Sequence, residues 1–139
     1  MIERIGVSLE GELLARFDEL IGEKGYANRS EAIRDLIRDE LVQREWAEGN
    51  GREERVAVVA LVYDHDAPNL SQKLARVQHE NHRAVVSTLH VHMDAHHCLE
   101  VLVLRGRARE VRAMADSLVA TKGVKYGRFL PATTGENLR

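Results

Sequence analysis

The first 48 residues carry hydrophobic patterns that predict one strand followed by two helices. Over residues 2–9, apolar and polar side chains alternate, as in a strand with one buried face. Over residues 11–24, the apolar side chains recur every three or four positions, which predicts an amphipathic helix. A second helix is predicted from Asn28, a good N-cap residue with Glu31 three positions later, to about Trp46.

The rest of the chain alternates between strand and helix patterns after a polar, glycine-containing segment. The predicted strands and helices cover residues 56–64, 69–82, 84–93, 98–106, 107–121 and 124–130. Their order, βαββαβ, is that of a ferredoxin-like domain, whose two helices cover one face of the sheet. The sequence therefore predicts an α+β protein. Its parts are a first domain over 1–48, a linker over 49–55, a ferredoxin-like domain over 56–131 and a mobile tail over 132–139.

The lone strand of the first domain has no predicted partner within its own domain. An unpaired strand leaves its backbone groups without hydrogen bonds, and a domain of this size buries little core. We therefore expect a dimer in which two such strands pair.

Composition places the chain among ordinary globular proteins. Apolar residues make up 44% of its 139 residues, and no apolar run approaches the roughly 18 residues that span a bilayer. The N-terminus lacks the apolar segment of a signal peptide, and a single cysteine cannot form an internal disulfide. These observations predict a cytoplasmic protein with no membrane partner.

Charge is distributed unevenly between the two predicted domains. Residues 1–55 hold nine basic and fourteen acidic residues, a balance of −5, whereas the remainder holds eleven and eight, a balance of +3. Contacts to DNA would therefore depend on the local placement of basic residues.

Glu31 and Asp35 lie one turn apart on the second helix. They form either a solvated acidic patch or a site for a hard cation with oxygen ligands.

The solvent side of the first domain suits contacts to DNA. Arg4, Gly6 and Ser8 lie opposite the apolar residues of the predicted strand, and two paired strands would form a ribbon that fits the major groove. The N-terminus of the second helix offers free N–H groups to a phosphate. The candidate residues there are Asn28, Arg29, Ser30 and Arg34. By themselves, surface arginines are usually ordinary solvated residues.

The predicted hairpin in the second domain gathers candidate metal ligands. His90 and His92 lie on one face of their strand, roughly 6.6 Å apart. The apolar residues on the other face of this strand and of its neighbour are expected to pack under the helices. They are Leu89, Val91, Met93, Leu99, Val101 and Val103. Cys98, Glu100 and Leu102 are then expected to join the two histidines on the helix-free face.

All seven histidines lie between His65 and His97, directly before the only cysteine, Cys98. Imidazole and thiolate donors suit zinc, copper or nickel. The hairpin supplies three donors, and a second chain docked face to face could supply His79 as the fourth. Within its own chain, His79 is expected to lie on the opposite face of the sheet from the other three. His96 and His97 lie in the predicted turn and are expected to face solvent, whereas the roles of His65 and His82 stay open.

The chain resembles the nickel-responsive transcriptional regulators. The resemblance rests on Gly25–Asp35, on Thr88–His92 and on Cys98–Glu100, and it covers nearly the whole chain. It implies a ribbon-helix-helix DNA-binding domain joined to a ferredoxin-like ACT domain, assembled as a homotetramer (a dimer of dimers).

The resemblance also implies roles for individual residues. Nickel would be held in a plane by His79 of one subunit and by His90, His92 and Cys98 of another. Glu100 would orient a ligating imidazole. The residues implied in base reading are Arg4 and Ser8, and those implied in a second cation site, such as one for potassium, are Glu31 and Asp35. Gly6 stands where the family often has a hydroxyl residue, and the loop at Ala67–Pro68 lacks the basic residues that some members use to contact DNA.

These observations predict a repressor that senses intracellular nickel, binds an operator in double-stranded DNA and controls genes for nickel uptake or use. We expect no enzymatic activity, because four protein ligands would close the coordination sphere that a catalytic metal keeps open. Two alternatives stay open at this point. One is a metal-buffering or amino-acid-binding ACT regulator with a DNA-binding head, and the other is a metal-dependent enzyme.

Overall fold

A computed structural model describes residues 1–138 of the chain, which divide into two compact units. The first unit is Met1–Leu41 and the second begins at Val42. The elements are α1 (Gly11–Glu23), α2 (Arg29–Ala47), β1 (Glu54–Asp64), α3 (Leu70–Glu80), β2 (Val85–His92), β3 (His97–Arg107), α4 (Ala108–Val119) and β4 (Val124–Pro131). None of the helices in the described part of the chain has the length and apolarity needed to cross a bilayer.

The first unit contains α1 and the first part of α2. Gly25 adopts a φ of 80°, and the N–H of Tyr26 donates to Ile21 O at 3.0 Å, which closes the end of α1. The side chain of Asn28 accepts a hydrogen bond from the N–H of Glu31 at 2.9 Å. This bond satisfies one of the free donors at the start of α2, as the sequence predicts.

The strand predicted over residues 2–9 is absent from the single chain. Residues 1–10 belong to no helix or strand, and the apolar side chains of Ile5, Val7 and Leu9 are 78%, 62% and 45% exposed. A strand exists only through hydrogen bonds to a neighbouring strand. Residues 1–41 contain no other strand, so one copy of this unit cannot supply that neighbour.

The second unit contains a four-stranded antiparallel sheet with the strand order β2-β3-β1-β4. The element order βαββαβ matches the prediction. Its core lies between the sheet and the helices. The largest of the fully buried side chains there are Val59, Leu61, Tyr63, Leu70, Leu74, Cys98, Leu102, Leu104, Val111 and Leu118.

The prediction of which sheet face the helices cover was wrong. On β3 the buried positions include Cys98, Glu100 and Leu102, whereas Leu99 and Val101 are only partly buried. The helices therefore cover the face that carries Cys98. Alternation could not reveal this, because both faces of these strands are apolar. The uncovered face leaves its own large hydrophobic side chains in solvent, among them Leu89 (60% exposed), Val91 (38%), Met93 (49%) and Leu130 (60%).

Candidate metal centre

The β2–β3 hairpin brings three predicted ligands together. In the strand register, His90 lies opposite Glu100 and His92 lies opposite Cys98. Opposite residues of an antiparallel pair share a face, so the four side chains lie together. The His90 and His92 rings stack with centroids 5.0 Å apart. The shared face agrees with the sequence analysis, although it is the helix-covered face.

His65 joins this group from the end of β1. Its Nδ1 lies 3.7 Å from Cys98 Sγ, and its ring centroid lies 5.2 Å from that of His92. The ligand atoms of His65, His90, His92 and Cys98 all lie within 4.8 Å of one another. The sequence analysis left the role of His65 open. The antiparallel pairing of β1 with β3 brings His65 to the cluster. Because Tyr63 lies opposite Cys98, the end of β1 lies beside the start of β3.

Cys98 is fully buried although it belongs to this cluster. Burial raises the pKa of its thiol above the usual value, and the negative charge of Glu100 raises it further. The thiol is therefore protonated at neutral pH until a cation replaces the proton. A metal that binds here releases that proton, so its affinity should increase with pH.

Glu100 is a buried carboxylate, and its two oxygens have separate partners. Tyr63 Oη donates to Oε2 at 2.7 Å, and Gln78 Nε2 donates to Oε1 at 2.7 Å. Thr88 Oγ1 donates in turn to Gln78 Oε1 at 3.3 Å. Burial and the hydrogen bond to Glu100 raise the pKa of Tyr63. Through Gln78, the residue just before His79, this network attaches α3 to the sheet. Within the described residues, the partners of the Glu100 carboxylate are Tyr63 and Gln78, and not a histidine imidazole.

His79 lies in the last turn of α3 and is not among the side chains that converge on Cys98. Its ring is exposed, with its centroid 6.3 Å from that of His82. Because Gln78 contacts Glu100, α3 covers the same sheet face as the cluster, which corrects the expectation that His79 lies on the opposite face. The single chain still leaves the imidazole of His79 free to meet another chain.

The β2–β3 turn is held by acidic side chains. Asp94 Oδ1 accepts hydrogen bonds from the N–H groups of His96 and His97 at 2.8 Å each, which lowers the pKa of Asp94 to about 2. His96 Nδ1 lies 2.8 Å from Asp66 Oδ2, and this contact raises the pKa of His96. His97 is half-buried, with its Nε2 2.9 Å from Lys125 Nζ. The turn is therefore ordered where it meets the cluster.

The predicted DNA-contacting residues lie on the surface of the first unit. Arg4, Gly6 and Ser8 lie in the extended, exposed segment before α1. Arg29 donates to both carboxylate oxygens of Asp18 on α1, at 2.8 and 2.7 Å, and Ser30 beside it is exposed. The remaining arginine, Arg34, pairs with Glu31.

The predicted second cation site also lies on this surface. Glu31 and Asp35 are both only partly exposed, one turn apart on α2. Asp35 accepts a hydrogen bond from Tyr26 Oη at 2.8 Å and pairs with Arg38 at 3.2 Å. Both carboxylates thus have partners within the chain, and a cation there stays a prediction.

Comparison with known proteins gives two family matches that together cover most of the chain. Residues 56–131 match the model of the NikR C terminal nickel binding domain, and residues 3–44 match that of the ribbon-helix-helix proteins of the copG family. The chain belongs to the family of nickel-responsive regulators. It joins a ribbon-helix-helix DNA-binding domain to a nickel-binding domain, and this architecture confirms the predicted fold class.

Full-length relatives agree with these matches. A protein of Anaeromyxobacter dehalogenans (strain 2CP-C), whose name describes it as a nickel-responsive regulator, is 73% identical over 100% of both chains. A protein of Geobacter sulfurreducens with the same name is 58% identical over 97% of this chain and 96% of its own. The fold alone is shared with an uncharacterized protein of Thermotoga maritima, which has a TM-score of 0.52 and 16% identity and matches over 58% of this chain and 100% of its own.

The residues of the cluster fit the ion that this family binds. His90 and His92 offer two nitrogen donors and Cys98 offers one sulfur donor to a single ion. Such mixed donors suit the late divalent transition metals, nickel among them.

Proposed function

We propose that this chain is a nickel-dependent DNA-binding repressor of genes for nickel uptake or use, acting in the cytoplasm. The observation that carries the proposal is the convergence of His90, His92 and Cys98 on one sheet face, with His79 exposed on the helix above that face. In this proposal His90, His92 and Cys98 of one chain and His79 of another would together hold nickel. Nickel would supply four directed bonds that join two subunits.

Exposed apolar surfaces support assembly into a homotetramer. In the first unit, α2 presents Ile33, Leu36, Ile37 and Leu41 around an open apolar pocket. Together with the apolar residues of segment 2–9, this surface would be covered when two copies pair their N-terminal segments as strands. In the second unit, the uncovered sheet face offers a separate apolar surface, with Leu89 and Leu130 each 60% exposed. Two different self-associating surfaces on one chain are what a dimer of dimers requires.

Pairing of the N-terminal segments would create the DNA-reading ribbon. Arg4 and Ser8 would then face base edges in the major groove, with Gly6 between them. The start of α2 would contact phosphates through its backbone N–H groups and through Arg29, Ser30 and Arg34. In this scheme residues 1–48 act as the DNA-binding domain, residues 49–55 as the linker and residues 56–131 as the regulatory domain.

The hydrogen bond that Gln78 donates to Glu100 suggests how nickel would change DNA binding. Because Gln78 precedes His79, a metal bound to His79 acts on a helix already attached to the sheet. Nickel would fix α3 across the subunit interface and favour the arrangement in which both DNA-binding dimers meet their operator half-sites.

A DNA-binding titration with and without nickel tests this proposal. We expect tight binding to one class of operator only with nickel, and loss of that response in His90→Ala and Cys98→Ala. His82→Ala, a change of an exposed histidine beside His79, is the matched control and should respond like the wild type. Equal DNA affinity in both conditions, with His90→Ala unchanged, would refute the proposal.

A further inference from the structure

We infer that a pocket lined by four arginines at one end of the sheet is a binding site for a phosphate group. The arginines are Arg52, Arg83, Arg105 and Arg107, and the other lining residues are Glu54, Ala84, Gly106 and Glu110. The pocket lies where β1 begins and β3 ends, whereas the metal cluster lies at the opposite ends of these two strands. Its volume is about 400 Å³, within the range of roughly 300–1,000 Å³ that is typical of small-molecule sites.

Backbone hydrogen bonds fix the segments that carry two of these arginines. The N–H of Arg105 donates to Ala84 O at 2.8 Å, which attaches the start of β2 to the end of β3. Arg83 directly precedes Ala84 and therefore lies beside Arg105. The two guanidinium groups come from segments that the sheet already holds together, so little backbone ordering is needed when an anion binds.

The start of α4 fixes the third segment and adds positive charge to the pocket. The N–H of Ala108 donates to Glu53 O at 2.8 Å, which attaches the segment next to Arg52 to the first turn of α4. Arg107 is the N-cap residue of α4, and its side chain makes no capping hydrogen bond. A helix start carries partial positive charge, so a basic residue there is unfavourable unless a negative group compensates it. Glu110 in the first turn supplies only one negative charge.

Most of the positive charge in this pocket is not neutralised. Its four arginines and two glutamates give a balance of +2. Arg105 Nε lies 2.8 Å from Glu54 Oε1, and within residues 1–138 this is the only salt bridge formed by the four arginines. Like charges that converge repel one another, and an anion that enters the pocket removes this repulsion.

A phosphate group matches the pocket in charge and in hydrogen-bonding geometry. A phosphate monoester carries about −1.5 to −2 charges at pH 7, close to the opposite of the charge of the pocket. The planar guanidinium of arginine donates two parallel hydrogen bonds to phosphate oxygens. Two sources share this chemistry. One is a small phosphate-bearing molecule, and the other is the backbone of bound DNA, which rests on the proposed function.

The pocket lies at the edge of the uncovered sheet face and not in its apolar part. Along β3, the side chains on that face are Leu99, Val101 and Val103, followed by Arg105 and Arg107 at the end of the strand. Assembly through the apolar residues would leave the arginines at the rim of the interface, where charged residues stay in contact with solvent.

Stabilisation by inorganic phosphate tests the site in the metal-free, full-length protein. Thermal unfolding is measured while sodium phosphate replaces sodium chloride at constant ionic strength, and the rise of the midpoint temperature with phosphate concentration gives the affinity. The variants are Arg83→Gln, Arg107→Gln and Glu54→Gln. Arg76→Gln, a change of an exposed arginine on α3, is the control. Phosphate also stabilises proteins by exclusion from their surfaces, so only the difference from the control reports binding.

We expect Arg83→Gln and Arg107→Gln each to weaken phosphate binding by at least about fivefold, because each loses a charge-assisted hydrogen bond. Glu54→Gln should strengthen phosphate binding by about two- to fivefold, since it releases Arg105 from an exposed salt bridge. Arg76→Gln should bind phosphate like the wild type. Partial unfolding cannot produce effects of opposite sign. Phosphate stabilisation that Arg83→Gln and Arg107→Gln leave intact would overturn the inference.

A second measurement distinguishes the two sources of phosphate. For the nickel-loaded protein and a DNA duplex of mixed sequence, the slope of log affinity against log salt concentration reports the number of phosphates contacted. If DNA fills the pocket, the double variant with Arg83→Gln and Arg107→Gln should reduce the magnitude of this slope by about two. If a small molecule fills the pocket, the slope should stay that of the wild type while phosphate stabilisation is lost.

The phosphate measurement also separates this inference from the proposed function, because it needs neither nickel nor an operator. If the arginine variants lose phosphate stabilisation while the wild type shows no nickel-dependent operator binding, the proposed function fails and the phosphate site stands. If nickel-dependent operator binding is observed but the arginine variants keep phosphate stabilisation, only the phosphate site fails.

Discussion

The two units of this chain differ in how much of their folding one copy can complete. In Met1–Leu41 only Ile21 and Ala32 are buried, while apolar residues on both the N-terminal segment and α2 remain exposed. The unit that begins at Val42 encloses a continuous aliphatic core between its sheet and its helices. Since burial of apolar surface is the main favourable term in folding, the second unit is stabilised within one chain and the first depends on a partner.

The largest effect should come from the core of the second unit. Leu102→Ala removes a fully buried side chain beneath the helices and should lower the free energy of unfolding by about 2–5 kcal/mol. Leu89→Ala on the uncovered face, where the leucine is 60% exposed, should change the free energy of unfolding of the monomer by only about 0.5 kcal/mol. Urea unfolding of both variants measures the difference. Equal costs would show that the uncovered face is as buried as the core.

A smaller effect, dependent on protein concentration, should come from the first unit. Ile37 is 51% exposed in the single chain, and we expect a second copy to cover it. Ile37→Ala should then weaken assembly by roughly 1–2 kcal/mol per chain, because less apolar area is buried on association.

Analytical ultracentrifugation over a range of concentrations measures this change. Gln43→Ala, a change at an exposed polar position of α2, is the control and should assemble like the wild type. If Ile37→Ala lowered the unfolding free energy equally at every concentration, the first unit would fold without a partner.

The smallest effect should be a pH dependence of the α1–α2 contact. The hydrogen bonds from Arg29 hold the pKa of Asp18 below its ordinary value of 3.8. A carboxylate with a lowered pKa stabilises the folded state above the unfolded-state pKa, and this contribution is lost as the pH falls through the folded-state value. Asp18→Asn should therefore be less stable than the wild type at neutral pH. The difference should shrink as the pH falls below about 4 and vanish only below the folded-state pKa of Asp18.

Circular dichroism of acid unfolding measures this convergence. Asp39→Asn, which removes an exposed carboxylate elsewhere on α2, should follow the wild type throughout. A constant difference in stability between Asp18→Asn and the wild type across the whole pH range would contradict this prediction. It would mean that protonation of Asp18 does not remove the stabilisation provided by its pairing with Arg29.

Local sequence patterns determined the elements and three of the four side chains of the metal cluster. Asn28 caps α2 because its side chain reaches an N–H only three residues away, and the order of strands and helices follows from periodicities within each segment. That His90, His92, Cys98 and Glu100 share one face follows from the two-residue repeat of adjacent strands. Such features depend on neighbours along the chain or across one hairpin, so the sequence alone predicts them.

Tertiary structure decided the rest. Which sheet face the helices cover could not be predicted, because Leu89 and Val101 on one face look as apolar as Leu102 and Leu104 on the other. His65 entered the cluster only because β1 pairs with β3, a contact between residues more than thirty positions apart. The strand over 2–9 did not form, because its hydrogen bonds need another strand that residues 1–41 do not contain. In each case the outcome depends on which surfaces meet in space, and alternation along a single chain does not carry that information.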